Sequence, residues 1–308
     1  MSAASADPQV ARILEKVPGL DAKGAAVTLL EGGITNCNYL VETQGQRLVV
    51  RIGGDQCHLL GIDRKNEHAC SSIAARLGVG AEVLGFFEEE RALVTRFISG
   101  ERLTPECASR PQNLRRILDA IRRYHGGPPF PGRFSPFDTV RSYHSQARGR
   151  GVAFPPEVPR ALEILGRIET ALGAPAALRP CHNDLLAANF IDDGGAVRII
   201  DWEYAAMGDP FFDLGNLAAN QGLDDAACRS VLRQYAGAAR KEDLARLHLQ
   251  RLASDMRESF WGFVQLGISK LDFDYGKYAR DHLRRFLAGA AAPDFPRWLA
   301  EAKATAPA

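Results

Sequence analysis

The chain has 308 residues, which is enough for two lobes around a cleft and for a sizeable buried core. Its 38 basic and 37 acidic residues nearly cancel, so the charge balance argues against a protein that binds nucleic acid. The six cysteines form no Cys-x-x-Cys pair, which argues against a zinc site. No apolar run approaches the roughly 18 residues of a membrane helix. Because the first residues are also too polar for a signal peptide, we expect a cytoplasmic protein without membrane insertion.

The first part of the chain, residues 1–98, has the pattern of a β-rich lobe. The predicted strands occupy residues 27–30, 39–41, 47–52, 82–86 and 92–97. One helix is predicted between Asp63 and Leu77, and Gly78 suits its C-terminus. Five short strands and one helix predict a compact, mostly antiparallel sheet domain.

The remaining residues, 99–308, have a mainly helical pattern. Leu114, Ile117 and Ile121 lie on one face of a first predicted helix, and a second helix is predicted over residues 157–172. Short apolar runs between residues 182 and 201 predict a small hairpin that carries a polar loop, and most of the chain beyond residue 213 is predicted to be helical. The order predicts a two-lobed α+β fold with a hinge near residues 97–100, where ligands commonly bind.

The polar loop is the most informative segment of the chain. It reads His182-Asn-Asp-Leu-Leu-Ala-Ala-Asn189, and Asp201 follows the next predicted strand. This spacing is typical of enzymes that transfer the γ-phosphoryl group of ATP, which need a hydroxyl-orienting carboxylate beside oxygen ligands for magnesium. We predict that Asp184 is the base and that Asn189 and Asp201 bind Mg²⁺.

Simpler interpretations exist for each of these residues. Asn and Asp favour turns in general, so the loop residues could merely cap turns of a hairpin, but their joint spacing favours catalysis. For His182 we favour a hydrogen-bonding role that shapes the loop. Asp213 has the sequence context of a helix N-cap that could also brace the loop from beneath.

The β-rich lobe contains candidates for nucleotide binding. Arg51 lies in the third predicted strand, where its guanidinium could hold phosphate oxygens, and Glu67 on the following helix could orient it. Between the first two strands, a Gly-Gly turn followed by Thr35 and Asn36 could fold over the phosphates. The alternatives are a solvent-exposed Arg, a Glu on a helix face and an ordinary hairpin turn.

Taken together, these motifs resemble the choline/ethanolamine kinases, which belong to the aminoglycoside-phosphotransferase and protein-kinase-like group. The resemblance covers about residues 32–286 and is carried by Gly32-Gly-x-Thr-Asn-x-Asn-Tyr39, Leu48-Val-Val-Arg51, the polar loop, Ile200-Asp-x-Glu-Tyr204, Phe212-Asp-x-x-Asn216, Phe260-Trp-Gly-Phe-Val-Gln265 and Phe273-Asp-Tyr-x-x-Tyr278. It implies a protein-kinase-like fold and ATP- and Mg²⁺-dependent phosphorylation of a small cationic amino alcohol. It also implies that Arg51 binds phosphate and that the backbone of Thr95, Phe97 and Ile98 meets the adenine.

Aromatic residues support a cationic acceptor on physical grounds. A quaternary ammonium donates no hydrogen bonds, so it is bound by ring faces through cation–π attraction. The candidates are Tyr204, Trp261, Tyr275 and Tyr278, with Trp261 the best single residue. The alternative is that each is an ordinary aromatic residue of the core.

The sequence therefore predicts a kinase whose acceptor is choline or a close analogue, and alternatives remain open. Ethanolamine, thiamine or an aminoglycoside could be the acceptor, and the last would need acidic groups such as Asp255, Glu258, Asp272 and Asp274. A non-catalytic kinase fold that senses a cationic metabolite is the alternative of another class. The oligomeric state is not fixed by the sequence.

Overall fold

The structure is a computed structural model that describes residues 8–30, 36–54 and 56–302. Its first lobe contains a five-stranded sheet in the order β1-β2-β3-β5-β4, and every neighbouring pair of strands is antiparallel. The strands are β1 (Ala26–Leu30), β2 (Asn36–Thr43), β3 (Gln46–Gly53), β4 (Val83–Phe87) and β5 (Ala92–Arg96). The predicted small antiparallel lobe is confirmed.

Alternation along β3 decides which residues reach the cleft. Leu48 and Val50 are fully buried on the core side of the sheet. Because successive side chains of a strand point to opposite faces, Val49 and Arg51 lie on the other face, where both line the cleft between the lobes. The strand therefore presents one apolar side chain and one cation to the cleft.

Two helices complete this lobe, where the sequence predicted one. Helix α2 (Arg64–Arg76) begins after Asp63, whose side chain accepts hydrogen bonds from the N–H groups of Lys65 and Asn66. As predicted, it ends just before Gly78, which has a φ of 68°. Helix α1 (Pro8–Glu15) was not predicted, and it packs buried aliphatic residues at i, i+3 and i+4 against the sheet core.

The larger lobe is mainly helical, as predicted. Its helices are α3 (Pro105–Ala108), α4 (Pro111–His125), α5 (Pro136–Gly149), α6 (Val158–Leu172), α7 (Pro210–Asn220), α8 (Asp225–Ala236), α9 (Lys241–Ile268), α10 (Tyr275–Ala290) and α11 (Phe295–Ala302). Its short strands are β6 (Glu101–Arg102), β7 (Arg179–Cys181), β8 (Phe190–Asp192), β9 (Val197–Ile199) and β10 (Ala206–Gly208). None of the described helices is long and apolar enough to cross a membrane.

Two small antiparallel pairs position the polar loop. β7 pairs with β10, and β8 pairs with β9 in the predicted hairpin. The loop therefore leaves β7 and enters β8, while residue 201 follows β9. Helix α9 has 28 residues, is buried along most of its length and packs against α5, α7, α10 and α11. It brings a charged and aromatic segment to the cleft beside the loop.

Candidate active site

Most of the predicted site residues meet in one cleft of about 300 Å³. Those that line it are Asn36, Arg51, Thr95, Phe97, Ile98, Asp184, Asn189, Asp201, Tyr204, Trp261 and Tyr278. Glu67 lies behind Arg51, with which it forms an ion pair. Thr35 lies outside the described residues, and Tyr275 does not line the cleft.

The loop that carries Asp184 is held from beneath by Asp213. This buried carboxylate accepts hydrogen bonds from the backbone N–H groups of His182 (2.9 Å) and Asn183 (2.7 Å) and from the Tyr124 hydroxyl (2.7 Å). The predicted bracing contacts are therefore present. The N-cap of α7, however, is Asp209, whose side chain accepts from Phe211 N–H, so the N-cap interpretation of Asp213 was wrong.

A second side chain on α7 also holds the loop. Asn216 accepts a hydrogen bond from the Leu185 N–H at 2.5 Å through its carbonyl oxygen. Its amide nitrogen donates to the Ser254 hydroxyl of α9 at 2.9 Å. The loop is therefore fixed relative to both α7 and α9, which is the preorganisation that a catalytic group requires.

Asp184 is a buried carboxylate in the wall of the cleft. Burial raises the pKa of Asp184 to about 7, and the neighbouring charges of Glu258 and Asp201 act in the same direction, while Arg257 opposes the shift. Arg257 Nη1 donates to Asp184 Oδ1 at 3.1 Å. A carboxylate with a pKa near neutrality in a cleft is a candidate general base.

The oxygen atoms of Asn189 and Asp201 fit a magnesium ion. The Asn189 amide nitrogen donates to the carbonyl of Asp184 at 2.9 Å, which leaves its side-chain oxygen as the atom that can bind a cation. Asp201 has a φ of 68°, a left-handed conformation that is uncommon outside glycine and is often found at functional sites. One neutral and one charged oxygen, with room for phosphates and water, match the ligands that Mg²⁺ prefers.

Arg51 lies in a network of buried charges at the back of the cleft. It forms ion pairs with Glu67 and with Asp201. Arg64 contacts the other oxygen of Glu67 at 2.6 Å and Glu203 Oε2 at 3.1 Å. The predicted pair of Arg51 with Glu67 is therefore present, and the guanidinium lines the cleft beside Asp201. Phosphate binding by Arg51 stays a prediction.

Sequence reasoning missed Arg64 and Glu203. The Asn36 side chain donates to Glu203 Oε2 at 2.9 Å, which ties the start of β2 to the segment after Asp201. One signal was available for Arg64, because it lies three residues before Glu67 on the same helix. Glu203 stands in the motif Ile200-Asp-x-Glu-Tyr204, but no role of its own was predicted for it.

The other end of the cleft suits a nucleotide base. Its apolar lining comes from Val49, Leu93, Leu186, Ile191 and Ile200, which belong to both lobes. The Phe97 N–H is already used, because it donates to Arg47 O at 2.9 Å. Within the described residues the Phe97 carbonyl and the Ile98 backbone make no backbone–backbone hydrogen bond, so these groups are available to an adenine edge. Adenine binding by Thr95, Phe97 and Ile98 stays a prediction.

The end of the cleft that is predicted to hold the acceptor, named the acceptor end for that prediction, combines rings with charges; its residues are Tyr204, Arg257, Glu258, Trp261 and Tyr278. Trp261 Nε1 donates to the Tyr204 hydroxyl at 3.1 Å, and the Tyr278 hydroxyl donates to Glu258 Oε2 at 2.7 Å. Arg257 stands beside Glu258 and contacts it. Sequence reasoning did not identify Arg257, because its helix is buried along most of its length and no polar face marks the position.

Tyr275 lies behind this group. Its ring packs edge-on against Trp261 with centroids 5.8 Å apart, and the Ser269 hydroxyl lies 3.0 Å from the Tyr275 hydroxyl. It supports the Trp261 ring from the core, so the structure places it as a packing residue. Direct contact of Tyr275 with a ligand is not what this arrangement provides.

Comparisons with known proteins place the chain in one family. The family model "Phosphotransferase enzyme family" matches residues 26–249. A solved choline/ethanolamine kinase family protein from Mesorhizobium loti is 31% identical, with a TM-score of 0.83 over 96% of this chain and 99% of that one. Probable ethanolamine kinase A from Dictyostelium discoideum is 28% identical over 83% of each chain. Protein LicA from Haemophilus influenzae is 26% identical over 68% of this chain, and the match spans 62% of the length of that relative.

All four of these matches extend over most of the chain. The family model covers both the strand that carries Arg51 and the loop that carries Asp184. The Mesorhizobium loti structure also shares the two-lobed arrangement of the fold. The chain therefore belongs to the phosphotransferase enzyme family and, within it, to the choline/ethanolamine kinases.

Proposed function

We propose that this kinase transfers the γ-phosphoryl group of Mg-ATP to the hydroxyl of a small amino alcohol of the choline or ethanolamine type. The observation that carries the proposal is that Asp184 lines one cleft together with Asn189 and Asp201, whose oxygens fit magnesium, and with Trp261 and Glu258. The proposal includes a nucleotide-binding lobe over residues 1–98 and an acceptor-binding lobe over residues 99–308.

Each group of the site has a distinct role in this proposal. Asp184 accepts the proton of the acceptor hydroxyl and orients its oxygen toward the γ-phosphorus. Asn189 and Asp201 hold the magnesium ion, which supplies charge neutralisation to the phosphates when it is bound. Arg51, kept in place by Glu67, offers donors to phosphate oxygens.

The charge of the acceptor end supports an acceptor with a single positive charge. When Asp184 is ionised, as it is above a pH of about 7, Asp184 and Glu258 are negative and Arg257 is positive, which leaves a formal charge of one negative unit at this end. Such a site complements one ammonium group. It also adjoins the base, so the short spacing between hydroxyl and ammonium in an amino alcohol is accommodated.

The structure gives little support to an aminoglycoside acceptor. Of the acidic residues that could have received a polycation, only Glu258 lines the cleft. Asp255 is paired with His282 (3.0 Å) and Arg285 (3.1 Å), and Asp274 caps α10. Polycationic ligands require several free carboxylates, so these engaged groups argue for a smaller acceptor.

The proposal is tested by ATP consumption with magnesium against choline, ethanolamine, thiamine and an aminoglycoside in parallel. We expect amino alcohols to stimulate ADP release well above the rate without acceptor, and mass spectrometry to show a phosphorylated product. Mg-ATP binding without turnover for any acceptor would favour a sensor with a kinase fold. Turnover with thiamine alone would contradict the amino-alcohol class while keeping the catalytic roles.

A further inference from the structure

One guanidinium group serves two carboxylates at the acceptor end of the cleft. Arg257 Nη1 lies 3.1 Å from Asp184 Oδ1 and also contacts Glu258 Oε1. Arg257 is 1% exposed, so this cation is withdrawn from water and held between the proposed base and a second acidic group. The positive charge at this place is therefore supplied by the protein before any acceptor binds.

The same guanidinium covers an aromatic ring that the sequence assigned to the acceptor. Arg257 Cζ lies 4.2 Å from the centroid of the Tyr204 ring. Cations interact with ring faces within about 6 Å, so Arg257 takes the position that a ligand cation would occupy on this face. Of the four predicted rings, Tyr204 is thus covered and Tyr275 is behind Trp261, which leaves Trp261 and Tyr278.

Glu258 provides a different kind of recognition. Its carboxylate is oriented by the Tyr278 hydroxyl at Oε2 and by Arg257 at Oε1, and it lines the cleft beside Trp261. A carboxylate has about four lone-pair sites, so two contacts leave it able to accept from a ligand. An ammonium with N–H groups can donate to it in a charge-assisted hydrogen bond, whereas a quaternary ammonium cannot.

Resting on the proposed function, we propose that Arg257 is a specificity-determining residue. It occupies the face of Tyr204, bridges Asp184 to Glu258, and thereby turns the acceptor end from a ring cage into a carboxylate site. The site then prefers an acceptor whose ammonium carries N–H donors, such as ethanolamine, to one with three N-methyl groups. This preference differs from the choline prediction of the sequence, which treated four rings as candidates for binding the acceptor.

The wild-type protein provides the first test through a methylation series. Ethanolamine, its N-methyl and N,N-dimethyl derivatives and choline share one hydroxyl and one positive charge, and each step of the series replaces one N–H donor by a methyl group. We expect kcat/KM to fall along the series, with the largest fall, about tenfold, where the last N–H is lost. A kcat/KM for choline equal to or above that for the dimethyl compound would overturn the proposal.

Variants test whether Arg257 sets the preference. Arg257→Ala uncovers the Tyr204 face, so we expect the ratio of kcat/KM for choline to that for ethanolamine to rise about fivefold or more, although overall turnover falls. The matched control is Arg246→Ala, because Arg246 is a buried residue of the same helix that contacts Asp209 at 3.4 Å away from the cleft lining. Its ratio should stay at the wild-type value.

A second variant covers the case in which Arg257→Ala does not fold. Glu258→Gln keeps the shape of the side chain and its contact with Tyr278 but removes the charge, so ethanolamine should lose more efficiency than choline. If neither variant changes the ratio relative to the Arg246→Ala control, Arg257 does not determine specificity. If no acceptor is phosphorylated, the proposed function fails, and calorimetric binding of ethanolamine and choline then tests the preference by itself.

Discussion

His182 Nε2 lies 3.0 Å from the carbonyl oxygen of Ile200. This contact ties the loop that carries Asp184 to the residue immediately before Asp201. Burial lowers the pKa of His182, although Asp213 and the Ile200 carbonyl oppose the shift, so the ring is neutral and donates through Nε2. Its Nδ1 then accepts from the Asp184 N–H at 3.2 Å, so one side chain sets the spacing between Asp184, the proposed base, and Asp201, a proposed magnesium ligand.

Replacing His182 should therefore impair turnover through geometry. We expect His182→Gln to lower kcat by about 10- to 100-fold and the free energy of unfolding by about 1–3 kcal/mol, because a buried hydrogen-bond network is broken. Steady-state kinetics and urea denaturation measure the two effects. His68→Gln is the matched control, since His68 stacks on Phe86 in the other lobe. An unchanged kcat in His182→Gln would contradict the positioning role.

Asp213 offers a sharper stability test. The Asp213 carboxylate accepts from the Tyr124 hydroxyl and from two backbone N–H groups of the loop. Asp213→Asn replaces one of its two oxygens with an NH2 group, which donates and cannot accept. We expect a loss of about 2–4 kcal/mol in the free energy of unfolding, because buried donors lose their acceptor. Asp224→Asn, at the exposed N-cap of α8, should cost less than about 1 kcal/mol. Equal losses in the two variants would show that the hydrogen bonds of Asp213 to the loop contribute no more to stability than an exposed N-cap.

The polar loop was predictable because its chemistry is local. Asp184, Asn189 and Asp201 lie within 18 positions of one another, on a loop, a short turn and the end of a hairpin strand. Because these residues lie so close together along the chain, their sequence separation nearly determines the distances between them in the fold. The small lobe was predictable for a similar reason, because its strands alternate and follow one another in antiparallel pairs.

The acceptor end was less predictable because it depends on depth of burial. Arg257 and Glu258 lie more than 50 positions beyond Asp201, on a helix that is buried on nearly all sides, so no polar face marks them. Tyr275 and Tyr278 share a helix face, as their spacing predicted. Spacing determines which face of the helix a side chain lies on, but it does not determine how deeply that side chain is buried. Helix α5 was missed behind a Pro/Gly-rich stretch, although Ser135 before Pro136 was a usable start signal.

The raised pKa of Asp184 predicts how activity depends on pH. Burial is its main cause and places the pKa at about 7, so the carboxyl is protonated and unable to accept a proton below that pH. We expect log kcat/KM for the acceptor to rise with pH up to about 7 and then level off. Circular dichroism over the same range controls for unfolding. A rise of log kcat/KM centred near the ordinary aspartate pKa of 3.8 would contradict this role.

The same shift predicts that Asp184→Asn gains stability while it loses turnover. A carboxyl whose pKa is raised by folding contributes stability that is full below its unfolded pKa of 3.8 and is lost as pH rises through about 7. Asparagine does not ionise, so its contribution to stability does not change with pH. The variant should therefore be more stable than wild type by about 1–3 kcal/mol at pH 8, and this gain should be absent near pH 4. Its kcat should fall by about 100-fold or more. Retained turnover would remove Asp184 from the mechanism.

Arg51 has a structural and a proposed functional role that can be separated. Arg51→Met removes a partner from Glu67, which is 2% exposed and would keep only Arg64. We expect a loss of about 2–4 kcal/mol in stability, together with a rise in the KM for ATP and a fall in kcat of about 100-fold. Denaturation curves and initial rates at varied ATP measure these effects.

The double variant Arg51→Met/Glu67→Gln resolves the two roles. Removing the buried charge of Glu67 should restore much of the stability, because a neutral side chain no longer requires a cation beside it. The KM for ATP should stay high, since the donors for phosphate remain absent. If ATP binding recovers together with stability, Arg51 acts only as a structural partner of Glu67 and another cation holds the phosphates.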